Sequence, residues 1–200
     1  MSVTVVGRWH LPADQADGFI VSARQQLEAR TGAPRARRTA QVFQAADDAG
    51  ALLYVSEWSD RTAFEAHRAE AKAGAVEAAI RDGGEFLICE RELFFGNYTY
   101  RTQVTGCGII EAPPGSGDAV RALLVPNGRW VYHGAPGLVY YAVYREVTHS
   151  HRFVVVHGWQ SEAALRTVRD RRSELQWPIE AIGGSIIPFT GYERASTDIL

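Results

Sequence analysis

Lysine is almost missing from this chain. Of 21 basic residues in 200, only Lys72 is lysine and the rest are arginine, and Met1 is the only methionine. With its Ala and Gly, this bias marks a high-GC genome of the actinobacterial kind rather than a chemistry. Charge of one sign is also scarce: the net charge is −2, with a pI near 6.3. Without a cation excess there is little to displace phosphate counterions, which argues against nucleic acid as a partner. Cys89 and Cys107 are the only cysteines, too few for a disulfide framework. No apolar run approaches the roughly 18–20 residues that span a bilayer. The first residues lack the basic region and apolar core of a secretory leader. The expectation is a cytoplasmic protein with reduced thiols and no membrane partner. There is no Gly-x-Gly-x-x-Gly after a strand, no P-loop and no Ser- or Cys-centred hydrolase elbow, so a tightly held nucleotide is not signalled. What remains is 46% apolar and 22% charged, close to the globular average.

The chain matches itself at a shift of about 100 residues. Gly7 falls on Gly108, Leu11-Pro12 on Ala112-Pro113, and Gly32-Ala33-Pro34 on Gly134-Ala135-Pro136. The run Leu53–Trp58 falls on Val154–Trp159. In the first half, residues 3–11 alternate as a strand, and Pro12 with Asp14 opens a helix carrying Ala16, Phe19, Ile20, Ala23 and Leu27 on one face. Strands are expected at 38–46 and 51–58, joined by the turn 47–50. Ser59 or Asp60 caps a helix over 61–80, and 85–95 makes a fourth strand. The second half repeats this with strands near 103–111, 138–147, 152–159 and 184–194. Its helices are expected near 117–125 and 161–176, cut by Pro126 and Pro178. The stretch 129–133 after Pro126 then reads as either a broken second helical turn or a loop, the segment 126–137 could form a lid, and Gly96–Thr99 reads as a linker.

The order β-α-β-β-α-β is the split βαβ, ferredoxin-like pattern. The expected fold class is therefore α+β, with repeats over 1–97 and 98–200. Each four-stranded sheet would leave one apolar face bare, which is marginal at this size. Two repeats covering each other sheet to sheet would form an intramolecular dimeric α/β barrel, present as a monomeric pseudo-dimer or a homodimer of it.

Glu57-Trp58-Ser59-Asp60, Ala63-Phe64-Glu-Ala-His67 and a first strand followed by Leu11-Pro12 resemble the antibiotic biosynthesis monooxygenases of the dimeric α/β-barrel superfamily. Trp159 and Ser161–Leu165 carry the resemblance into the second half. The resemblance implies a pocket between sheet and helices. It also implies an oxygenase of secondary metabolism acting on a polycyclic aromatic, polyketide-like phenol or hydroquinone. O2 would be the cosubstrate, with no tightly bound cofactor and no metal; ring-cleaving relatives imply reduced flavin as a diffusible cosubstrate. The haem-degrading branch is disfavoured, because Gly7 stands where that branch has an Asn. The alternative is a non-catalytic binding protein or cyclase-like helper that holds an aromatic metabolite.

Within that pocket, His67 shares a helical face with Phe64 and could take a phenolic proton, or simply be a core histidine satisfied by the sheet edge. Its second-half counterpart is Val168, so the two pockets would differ. His157 lies among Phe153, Val155 and Trp159 on one strand face and carries the same two alternatives. Trp58 and Trp159 could stack a flat substrate or serve packing alone. Tyr54, Tyr140 and Trp130 are further substrate-binding candidates. Arg91 alternates with Leu87, Cys89 and Leu93, so it is expected to point inward, paired with Glu57 or Glu90 or stabilising an anion. His149-x-His151 lacks a further ligand set for a metal site.

Overall fold

The computed structural model describes residues 2–28, 37–45, 48–70, 85–96, 102–169 and 173–194. The first repeat consists of β1 (Val3–His10), α1 (Ala13–Glu28), β2 (Arg37–Ala45), β3 (Ala51–Trp58), α2 (Arg61–Glu70) and β4 (Glu85–Gly96). The second consists of β5 (Val104–Glu111), α3 (Gly117–Gly134), β6 (Leu138–Glu146), β7 (Arg152–Trp159), α4 (Glu162–Arg169), α5 (Ser173–Ala181) and β8 (Ser185–Arg194). The strand orders are β4-β1-β3-β2 and β8-β5-β7-β6. The fold is therefore α+β, with two ferredoxin-like repeats.

Two compact units emerge, and both divide inside a strand. One runs from β1 to Ile88 of β4 and takes the end of β8 from Tyr192; the other is Cys89–Gly191. In the first, Phe43–Ala45 of β2 pair with Tyr192–Arg194. In the second, Cys89–Gly96 pair antiparallel with Tyr140–Glu146.

Local chemistry starts and stops the elements as the side chains dictate. The Pro12 carbonyl accepts from the amides of Gln15 and Ala16, opening α1. Ala16, Phe19 and Ile20 then bury against Val42, Leu52 and Tyr54. The turn before β3 closes when the Gly50 amide donates to Asp48 Oδ1 at 2.9 Å. A Cβ on Gly50 would lie 2.2 Å from the Leu11 carbonyl oxygen, so a side chain has no room there. Asp60 caps α2 by accepting from the Ala63 amide at 2.8 Å. One repeat later, Ser161 Oγ accepts from the Ala164 amide at 3.2 Å.

The proline-based expectations need correction. α3 does not stop near 125 but runs through Pro126 to Gly134, so of the two readings of that segment the helical one holds, as an unbroken continuation rather than a separate turn, loop or lid. Proline costs a helix interior about 3 kcal/mol through one lost hydrogen bond and a ring clash, yet its φ is itself helical. Val120 and Leu124 are fully buried in the same helix, and packing outweighs the local penalty. The expected helix over 161–176 is instead α4 and α5, and α5 carries Pro178 inside it beside the fully buried Ile179. The expected continuation of α2 over 71–80 and most of the expected linker lie outside the described residues. Among the described residues, no helix is long and apolar enough to cross a membrane.

Candidate functional site

In both repeats the strand that ends in tryptophan turns that residue back onto its own chain. Residues two apart on a strand share a face. Trp58 Nε1 donates to Ser56 Oγ at 2.9 Å. Trp159 Nε1 donates to His157 Nδ1 in the same way. Trp58 is 1% exposed, Trp159 0% and His157 5%. The repeats share one architectural device, an indole satisfied by the residue at i−2, but differ in the acceptor.

The imidazole has a place because its neighbour across the ladder is glycine. His157 pairs with Gly106, whereas Ser56 pairs with Val5. A Cβ on Gly106 would sit 2.0 Å from His157 Cε1. On the other side, β6 sets Tyr141 opposite His157, with ring centroids 6.4 Å apart and planes within 7°. Trp159 stands edge-on to the imidazole at 5.6 Å and 82°. Burial pushes the Tyr141 phenol well above the ordinary tyrosine range. His157, Tyr141 and Trp159 thus form one buried cluster within the second unit. Tyr141 and Trp159 also pack with Val120 and Leu124 of α3, Leu165 of α4 and Ile179 of α5.

Tyr141 is the member that the sequence alone did not single out. Adjacent tyrosines occupy 140 and 141, one per face, and the pairing of β6 with β7 shifts register between Leu138 and Tyr140. Tyr140 lies over Gly158, where a Cβ would come within 2.3 Å of its ring, and stacks with Phe94 at 6.4 Å. It therefore faces away from His157 and Trp159. The one available signal was the invariant two-residue period from Gly106 and His157 across the ladder, which needs the register.

The first unit also holds an aromatic cluster, distinct from the one that contains Val5, Trp58 and Phe64. Trp9 meets Phe19 at 5.6 Å, Tyr54 at 6.0 Å and Phe86 at 5.2 Å. In the second repeat Ile110, Val120 and Val155 stand at the positions of Trp9, Phe19 and Tyr54, and Ile186 at that of Phe86. Four rings are exchanged for four aliphatic side chains. Tyr54 belongs to this aromatic cluster, and Trp58 packs instead against Phe64 at 5.6 Å.

Other expected site residues are dispersed. His67 is on α2 and Trp130 on α3, with their side chains outside the described residues. Arg91 is exposed rather than inward, with its guanidinium 5.4 Å from the Phe94 ring. β4 stays in register with β6 from Cys89 to Arg91, so Arg91 keeps the strand face of Cys89, and its long side chain is solvent-accessible there. His149 Nδ1 meets the buried Glu146 carboxylate at 2.9 Å. Among the described residues, no three His, Cys, Asp or Glu side chains gather as a metal site. Both cysteines are buried, and burial raises the Cys89 thiol far from a reactive thiolate.

The model of one family, antibiotic biosynthesis monooxygenase, matches residues 2–79 and 109–173, most of both repeats. The chain belongs to the antibiotic biosynthesis monooxygenase family. No curated protein matches its sequence. Among solved structures, this family member is similar to an anthrone oxidase-like protein, with TM-score 0.76, 14% identity, and coverage of 96% of this chain and 91% of that one. It is similar to a candidate monooxygenase from Lactobacillus acidophilus, with TM-score 0.70, 8% identity, and coverage of 99% and 98%. A heme-degrading enzyme from Listeria monocytogenes shares the fold at TM-score 0.53, 11% identity, and coverage of 94% and 98%. At these identities the likeness is one of fold, and the site must be argued from this monooxygenase-family chain's own side chains.

Proposed function

We propose that this protein is an oxygenase that oxidises a hydroxylated polycyclic aromatic compound with O2, and that the second repeat binds it. The observation that carries the proposal is the asymmetry between repeats. The first packs Trp9, Phe19, Tyr54 and Phe86 together, while the second has aliphatic side chains at those positions and a buried imidazole beside Trp159. Apolar walls with a few fixed polar atoms are the usual make-up of a small-molecule site. The family match and the likeness to an anthrone oxidase-like protein support the same reaction class.

The stoichiometry suits a substrate that supplies its own electrons. Oxidation of a methylene flanked by aryl rings to a carbonyl consumes one O2 and releases one water, with no outside reductant. The protein's contribution is to hold the anion of the substrate and to exclude water from it. Ring cleavage with retention of both carbon fragments would instead call on reduced flavin as a diffusible cosubstrate.

Oxygen uptake with anthrone or a fused-ring hydroquinone, with and without reduced flavin, tests this. Uptake that scales with protein concentration and yields the quinone supports it. Quenching of tryptophan fluorescence by these compounds without any oxygen consumption would instead establish a binding protein for an aromatic metabolite.

A further inference from the structure

We propose that His149 and His151, at the turn between β6 and β7, bind a divalent transition-metal ion of the Zn2+, Ni2+ or Cu2+ class, with Glu146 as the residue that positions His149. The turn lies at the opposite end of β7 from Trp159, and the inference does not rest on the oxygenase reading.

Two imidazoles two residues apart are not by themselves a site. The structure adds a defined ring state to the first of them. A carboxylate oxygen only accepts hydrogen bonds. Glu146 Oε1 lies 2.9 Å from His149 Nδ1, and the Thr148 hydroxyl donates to the same oxygen at 2.6 Å. The proton of the neutral His149 ring therefore sits on Nδ1, and its lone pair sits on Nε2. Metal-ligating histidines characteristically donate their second N–H to a carboxylate, which fixes the ring and makes the remaining nitrogen more basic. Glu146 is built to hold that role. Its side chain is only 6% exposed, and the Arg152 guanidinium stands 3.4 Å from its Oε2.

Access and convergence complete the arrangement. The His149 side chain is 56% exposed, and the hydrogen bonds of its ring are made at Nδ1. The His151 ring stands 5.9 Å from it, centre to centre, at 83°. Ring nitrogens bind Zn2+ at about 2.0–2.1 Å, which puts the ion about 3.2 Å from each ring centre, so two imidazoles at this separation can share one ion. The turn that carries them is pinned. The Arg152 amide donates to the His149 carbonyl at 2.8 Å, and Arg145 Nε donates to the Ser150 carbonyl at 2.6 Å. Little backbone is left to order on binding. Imidazole nitrogen selects borderline ions over Mg2+ and Ca2+, which take oxygen ligands. Among the described residues no three His, Cys, Asp or Glu side chains form a ligand set, so Glu146 stays in the outer shell and water fills the open positions. The bound ion is thus exchangeable and reaches solvent.

Zinc titration of the chelator-treated full chain, followed by calorimetry and by nitrogen NMR of histidine-labelled protein, tests this. Before zinc is added, His149 should carry its proton on Nδ1; a proton on Nε2 overturns the proposal. One Zn2+ per chain should then bind with a Kd below about 100 μM, Cu2+ should bind more tightly, and excess Mg2+ should not compete. The His149 and His151 nitrogen signals should both move. His151→Ala should weaken binding about tenfold or more while the melting temperature of the metal-free protein stays unchanged. Glu146→Gln should weaken it about 10–100-fold, the usual effect of losing an outer-shell carboxylate. No saturation by 1 mM Zn2+, or wild-type affinity in His151→Ala, overturns the proposal. Wild-type affinity in Glu146→Gln also overturns it and leaves an adventitious pair of surface imidazoles. Should Glu146→Gln fail to fold, the His149 proton position and the His151→Ala titration decide the matter.

Discussion

At the residue scale, the two tryptophan pairs divide structure from chemistry. Ser56 is buried and its hydroxyl meets an indole that has no route to water. Ser56→Ala should therefore destabilise by about 0.5–1.5 kcal/mol, the net worth of the hydrogen bond lost, as measured by urea unfolding. Gly106→Ala acts differently. Its methyl must displace the imidazole, and overpacking of this kind costs about 1–3 kcal/mol. Denaturation should report that loss, and the His157 nitrogen resonances should move in the same variant. The pairing of His157 with Trp159 was legible because residues i and i+2 share a strand face whatever the fold. Tyr141 was not, because choosing between adjacent tyrosines needs the ladder register, and a shift at Leu138/Tyr140 changes it. Arg91 keeps the strand face that alternation gives it, and only the tertiary structure shows it exposed.

At the scale of elements, caps were readable and breakers misled. Asp60 accepts from the Ala63 amide, which does most to hold its carboxyl below the ordinary aspartate range, with the Ser59 hydroxyl next. The sign follows directly: a depressed folded pKa adds stability above the unfolded value, and that stability is lost as pH falls through the folded one. Asp60→Ala should lower the melting temperature at pH 7, and the gap to wild type should narrow below pH 3.8. Melting curves at several pH values check this; a gap that stays constant to pH 2 would contradict it. Pro126 poses the opposite case. It sits inside α3 at a price that packing of Val120 and Leu124 covers, so Pro126→Ala should stabilise the protein by about 1–2 kcal/mol. Strands 51–58 and 152–159 coincide with β3 and β7 because alternation and flanking turns agree at both ends. Proline offered only a local cost, whereas the outcome depends on what the rest of the helix buries.

At the scale of the molecule, the repeats are not separable at their sequence boundary. Residues 98–200 alone would lack Cys89–Gly96, the partner of Tyr140–Glu146 in β6. Residues 1–97 alone would lack Tyr192–Arg194, the partner of Phe43–Ala45 in β2. Each fragment would present an unpaired, apolar strand edge. Expressed separately, both should aggregate or remain largely unfolded by circular dichroism, and mixing them should restore the signal of the intact chain. Two fragments that each fold to a stable monomer would refute this.

The sequence by itself determined the duplication, the strand order along each repeat and the shared tryptophan position, because hydrophobic period, turn chemistry and spacing act over a few residues. Only the tertiary structure decided which tyrosine meets His157, that Arg91 is exposed, and that Pro126 stays inside a helix. Those outcomes turn on strand register and on what distant side chains bury together, and neither is encoded in any short stretch of chain. The scarcity of lysine and the near-neutral charge set no part of the candidate site; a histidine and a tryptophan two apart on one strand, facing a glycine on the next, do.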